Sequence, residues 1–154
     1  MQQPRRNFLI RAGRFGLASV ALASGLISRL ARAEETRPAF TATAIAGAWK
    51  ALGVSDAKQS TDIAFKAPDI AENGAVVPVE IESKLPNTRS ITILVEKNPH
   101  VMSASFTLPE GTEPFISTRV KVAESSLIHA LVKTDAGAFY TTKLVKVTLG
   151  GCGG

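Results

Sequence analysis

Cys152 is the only cysteine in the 154-residue chain, and it stands inside the closing stretch "GGCGG", residues 150–154. A thiol can act as a nucleophile, a metal ligand, half of a disulfide or a covalent attachment point. The setting narrows these options. Glycine has no Cβ, so Gly150, Gly151, Gly153 and Gly154 make a thin, flexible tether. Cys152 follows Leu149 by three residues, a reach of roughly 10 Å when extended. The tether offers no cation, no histidine and no helix N-terminus to stabilise a thiolate, and the carboxylate two residues on would disfavour one. An exposed, tethered and unactivated thiol suits a carrier that holds a covalent intermediate while separate enzymes work on it. Attachment raises the local concentration and keeps the intermediate from diffusing away. Two other readings stand beside this one. The stretch could be a tail whose thiol does nothing, or the cysteine could join two chains of a structural or interaction protein by an intermolecular disulfide. A thiol oxidoreductase is disfavoured, because no second cysteine resolves a mixed disulfide.

The rest of the sequence holds little catalytic chemistry. His100 and His129 are the only histidines, and no C-x-x-C, H-E-x-x-H or Asp/Asn calcium loop occurs. No metal site or cofactor is therefore expected. G-x-S-x-G, P-loop and dinucleotide fingerprints are also missing. His129 has Leu127 and Leu131 on its own strand face, which marks it as a packed or interface histidine. His100 follows Asn98-Pro99 as a turn residue. Glu80 and Glu82 share a strand face that is expected to be solvated or partner-facing. Leu127 and Leu131 are candidates for a partner-binding face. Trp49, the only tryptophan, is read as a core anchor.

The formal charge is +5, from 18 Lys+Arg against 13 Asp+Glu. Six of these basic residues (Arg5, Arg6, Arg11, Arg14, Arg29, Arg32) precede Ala33, with no acid among them. Without the six, 12 basic residues face 13 acidic ones, a formal charge of −1. A nucleic-acid partner loses its main support. The same N-terminal stretch has the layout of a secretory signal. Arg5-Arg6 precedes Phe8-Leu9, a modest apolar run follows, and Ala31-Arg32-Ala33 is an A-x-A cleavage pattern. The twin arginine looks like a Tat signal, although Pro4 and Ile10 depart from the fuller Tat pattern. The apolar run is short of the ~20 residues that span a bilayer, so an uncleaved anchor is the lesser reading. Export to the periplasm with removal of residues 1–33 is the expectation.

The elements that must position the arm follow in the body, residues 34–149. A polar linker with Pro38 leads to a helix at 41–52, where Ile45, Ala48, Trp49 and Leu52 form one stripe. Thr41 or Thr43 is the expected cap and Gly53 the stop. From residue 60 onward the period changes to two. Strands are expected at 62–67, 76–84, 90–96, 101–108, 115–122, 126–134 and 138–149. Turn signals separate them at Asn73-Gly74, Pro86-Asn87, Asn98-Pro99, Pro109 to Gly111 and Asp135 to Gly137. Val77, Val79 and Ile81 point to one face, and Pro78 favours an edge position for their strand. Seven short strands at this spacing predict an all-β, immunoglobulin-like antiparallel sandwich with a short N-terminal helix.

With these residues in view, the chain resembles the SoxY family, the sulfur-carrier subunits of the bacterial thiosulfate-oxidising (Sox) system. The terminal "GGCGG", the Tat-like leader, the short helix, the sandwich body and "APDIAENGAVVPVEI" (residues 67–81) carry the resemblance. The pentapeptide is its specific part, since a sandwich alone does not define function. The resemblance implies that Cys152 is the covalent attachment point for thiosulfate and later sulfur species. It implies a heterodimer or higher assembly with a SoxZ-like subunit. It also implies work with a c-type cytochrome (SoxXA), a sulfate-releasing hydrolase (SoxB) and a sulfur dehydrogenase (SoxCD), and no catalysis by the chain itself.

Overall fold

The computed structural model describes residues 37–149. The expected signal at 1–33, with Arg5, Arg6 and Ala33, lies outside the described residues. So does the arm of Gly150, Gly151, Cys152, Gly153 and Gly154.

One helix, α1 (Ile45–Ala51), is followed by nine strands: β1 (Ala57–Gln59), β2 (Ile63–Lys66), β3 (Ile70–Asn73), β4 (Val77–Ser83), β5 (Thr88–Val95), β6 (Met102–Thr107), β7 (Phe115–Val120), β8 (Ser126–Thr134) and β9 (Gly137–Leu149). The larger sheet runs β1-β9-β8-β5-β6, with β3 also paired to β9, and the smaller runs β2-β4-β7. The expected sandwich is present, and all five turn signals separate strands. Two strands are additions. β1 and β3 carry no two-residue alternation, and both pair with β9 in parallel rather than antiparallel fashion.

The alternation read from the sequence sets the core. Val77, Val79 and Ile81 of β4 are buried against Ile91, Ile93 and Val95 of β5 and Ile128, Ala130 and Val132 of β8. Strand β5 is buried on consecutive residues from Ile91 to Val95. Its two faces meet different partners, which explains its unbroken "ITILV". Ile91, Ile93 and Val95 face the smaller sheet, whereas Leu94 belongs to a second cluster with Val101, Leu131, Ala48 and Val54. That second cluster lies under α1.

A seven-residue helix is marginal by itself, so packing and its C-terminal cap must hold it. Gly53 adopts φ 72°. The Gly53 amide donates to the Lys50 carbonyl, and the Val54 amide to the Trp49 carbonyl at 2.8 Å. This pair of bonds, with Trp49 and Val54 in one apolar cluster, is a Schellman stop. The Lys133 ammonium donates to the Leu52 carbonyl at 3.0 Å, a favourable charge at that terminus.

Three expectations need correction. The helix starts at Ile45 with Ala44 as its cap residue, and no side chain caps it. Thr41 instead donates its hydroxyl to the Pro38 carbonyl, while the Ala42 carbonyl receives the Val101 amide. Residues 38–42 are thus committed to a turn docked on the sheet, and Ala39 is buried, so this part is more than a polar linker. Pro78 does not mark an edge strand, since β4 is the central strand of the smaller sheet. Proline is tolerated because β2 runs beside Glu80 to Ser83 only, which leaves β4 locally unpaired on that side at Pro78.

Candidate functional site

The arm begins where β9 ends, and the root is anchored by more than the antiparallel hairpin. Strand β8 accompanies β9 only as far as Val145, opposite Ser126. The last four residues of β9 outrun it. Strand β3 takes over there, pairing Ile70 with Lys146, Ala71 with Val147 and Asn73 with Leu149. The Lys146 amide donates to the Asp69 carbonyl at 2.9 Å, and the Val147 amide to the Ser125 hydroxyl at 2.9 Å. The Thr148 hydroxyl donates to the Glu72 carbonyl. An ion pair of 3.2 Å joins Lys143 to Asp69. Ala71 is buried in the main core, and Val147 packs against it. The end of β9 at Leu149 therefore lies two residues beyond a side chain packed on the core, and Cys152 follows Leu149 by three residues.

At the opposite end of β9 the guanidinium of Arg89 donates to both oxygens of Asp135, each at 2.8 Å. This fork braces the β8–β9 turn, and it holds the Asp135 carboxyl below the usual carboxylate range. A shallow cleft there is lined by Leu85, Asn87, Thr88, Arg89, Pro109 and Pro114, remote from the root of the arm.

The other residues singled out in the sequence do not assemble with the root. His100 is exposed in a bend. Glu82 is exposed, and Glu80 forms only a 3.8 Å pair with Lys66. Leu127 is 37% exposed, but Leu131 is fully buried beneath α1. Leu131 is accordingly removed from the candidate partner face. Leu144, which is 51% exposed and sits opposite Leu127 in the register, is exposed in its place. The helix covers one half of the sheet's outer face and leaves the other half open, a division that strand periodicity does not encode.

Trp49 packs on Tyr140 with ring centroids 5.3 Å apart, and His129 stacks on Tyr140 at 6.5 Å. Sequence reading missed Tyr140 as the link, although it shares the outer face with Thr142 and Leu144 in simple alternation. Among the described residues, the buried side-chain polar atoms without a hydrogen-bond partner are Trp49 Nε1 and both ring nitrogens of His129. Glu96 approaches His129 Nε2 only to 4.0 Å. Burial pushes the His129 imidazole below the ordinary 6.5, and the Glu96 carboxylate opposes this only in part. The unfolded chain thus takes up a proton at higher pH than the folded one. The contribution to stability is fully present above about pH 6.5 and is lost as pH falls through the lowered folded value. Thermal melts between pH 7.5 and 5 should show this loss, and His129→Gln should flatten it. An unchanged slope in the variant would assign the acid sensitivity to other groups.

Among the described residues no group of three or more His, Cys, Asp or Glu could hold a metal ion. No helix among them is long and apolar enough to cross a membrane. Among the described residues the arrangement is a two-sheet scaffold whose last strand, β9, runs up to the glycine-bounded segment of the sequence.

The comparisons agree with that class. The family described as "Sulfur oxidation protein SoxY" matches residues 49–152. A comparison with curated proteins finds no match. Among solved structures, the sulfur carrier protein SoxY from Chlorobium limicola f thiosulfatophilum is similar at 32% identity and a TM-score of 0.57, covering 65% of this chain and 93% of that one. A superoxide reductase (neelaredoxin) variant from Ignicoccus hospitalis, E23A, shares the fold alone at 20% identity and a TM-score of 0.50, covering 64% of this chain and 86% of that one. The chain belongs to the SoxY family.

Proposed function

We propose that the protein is an exported sulfur carrier that holds thiosulfate-derived sulfur on Cys152 and presents it to enzymes of sulfur oxidation. The observation that carries this reading is where the family match ends. It runs through residue 152, the only cysteine in the sequence. The similar solved protein, itself a sulfur carrier SoxY, supports the same role.

The chemistry divides between the carrier and its partners. The Cys152 thiol and thiosulfate join through a new S–S bond, with loss of one proton and two electrons. A c-type cytochrome of SoxXA type takes the electrons. A SoxB-type hydrolase adds water to the terminal sulfonate sulfur and breaks the S–S bond beside it. Sulfate leaves, and a persulfide stays on Cys152. A SoxCD-type dehydrogenase oxidises that sulfane sulfur. The carrier itself contributes the thiol, its reach and its protection from diffusion, and needs no cofactor of its own. A SoxZ-like subunit completes the working heterodimer, and Tat export of the folded pair accounts for the Arg5-Arg6 leader.

Intact-mass spectrometry without reductant, on protein from the periplasm of thiosulfate-grown cells, tests this reading. The expected species begins at Glu34 and carries sulfur, sulfonate or thiosulfonate additions that map to Cys152. Cys152 found only as a plain thiol or as a chain-to-chain disulfide would overturn it in favour of a structural role.

A further inference from the structure

We infer that β3 and the turn after it form a docking collar for the enzymes that work on the arm, with Ile70 and Val76 as its apolar contacts. This inference rests on the carrier reading and adds the surface through which the arm is delivered. Ile70 is 60% exposed and Val76 53%, more than any other large apolar residue described. Neither belongs to a core cluster, so folding alone does not explain their exposure, and an apolar residue on an outlying strand invites unwanted pairing.

Their position relative to the root supplies the reason. Asn73 is the register partner of Leu149. Ile70 precedes Asn73 by three strand residues, roughly 10 Å. Val76 follows Asn73 by three residues across a turn in which the Ala75 amide donates to the Asn73 side-chain oxygen, so it too lies within about 10 Å. Cys152 is tethered to Leu149 by a reach of the same size. An enzyme that admits the thiol to its pocket must therefore bring the rim of that pocket onto the surface around Leu149, where these two side chains stand. The occupant is an enzyme whose thiol-accepting pocket opens through an apolar rim.

The bonds that β9 donates to Asp69, Ser125 and Glu72 fix the end of β9 beside β3, so an enzyme seated on the collar stands at a constant distance from the point where the tether begins. A contact built on two exposed side chains is small, as suits a transient complex and a carrier that must leave one enzyme for the next.

The test is steady-state loading of the mature carrier, with its SoxZ-like partner, by the thiosulfate-conjugating c-type cytochrome. Ile70→Ser, Val76→Ser and the double variant are compared with Phe115→Ser, which alters an exposed apolar residue (42%) at the other end of the smaller sheet. In the double variant KM for the carrier is expected to rise about tenfold, in line with the loss of central interface contacts, with kcat at saturation unchanged. Alkylation of Cys152 by iodoacetamide should proceed at the wild-type rate in every variant. An unchanged KM in the double variant, or an equal rise in Phe115→Ser, overturns the collar while the carrier reading stands. Wild-type carrier that the cytochrome does not load would defeat the carrier reading and the collar with it.

Discussion

Cys152→Ser is expected to abolish sulfur loading completely while leaving the domain folded and able to bind its partner subunit. A serine hydroxyl forms no persulfide and no S–S bond to thiosulfate, so no residual carriage by that atom is possible. No second cysteine exists to take over. Exchanging a thiol for a hydroxyl of nearly the same size is a small change, so stability should shift by less than about 0.5 kcal/mol. Gly151→Val and Gly153→Val make the complementary case. They keep the thiol but widen the tether with a branched side chain, which a narrow pocket would exclude. Loading by the cytochrome should fall by at least tenfold in either valine variant, whereas small-molecule alkylation of Cys152 should continue. Sulfur additions found on the Cys152→Ser protein would move the attachment site elsewhere. Normal turnover of both valine variants would sink the idea of pocket insertion.

Leu131→Ala should be the more damaging of two neighbouring leucine truncations, by on the order of 2–5 kcal/mol, against less than about 1 kcal/mol for Leu127→Ala. The two residues share a strand face, and the sequence treats them alike. Leu131 is fully buried in the cluster that joins α1 to the larger sheet, with Ala48, Val54, Leu94 and Val101 around it. Its loss leaves a cavity as well as a transfer cost, and it removes the main support of a helix too short to stand alone. Leu127 keeps 37% of its surface in water, so truncation empties no enclosed space. Chemical denaturation followed by the fluorescence of Trp49 reads the difference directly, because Trp49 packs in the same cluster. Equal midpoints for the two variants would mean that α1 does not hold that half of the sheet in solution.

Much of this protein was legible before any coordinates. Seven strands, the inward row of Val77, Val79 and Ile81, and the stop at Gly53 follow from local rules: alternation puts alternate side chains on opposite faces, and glycine tolerates φ 72°. Cys152 stands out as the proposed attachment point for an equally local reason. A lone thiol in a run of glycines is identified by residue type and spacing, and needs no fold to be noticed.

Other features depended on pairing between distant segments, which no local pattern carries. Pro78 sits in a central strand because β2 happens to stop at the register of Glu80. Leu131 is covered and Leu127 is not because a seven-residue helix reaches only half the sheet. Strand β3 shows no alternation of its own, since its partner is the last stretch of β9, about 75 residues later, and a parallel pair of four residues leaves little trace in composition. The sequence by itself determined that a single thiol is on offer and how many residues separate it from Leu149. Only the tertiary structure decided where that separation begins, because the root is held by long-range backbone bonds whose partners the chain brings together only on folding.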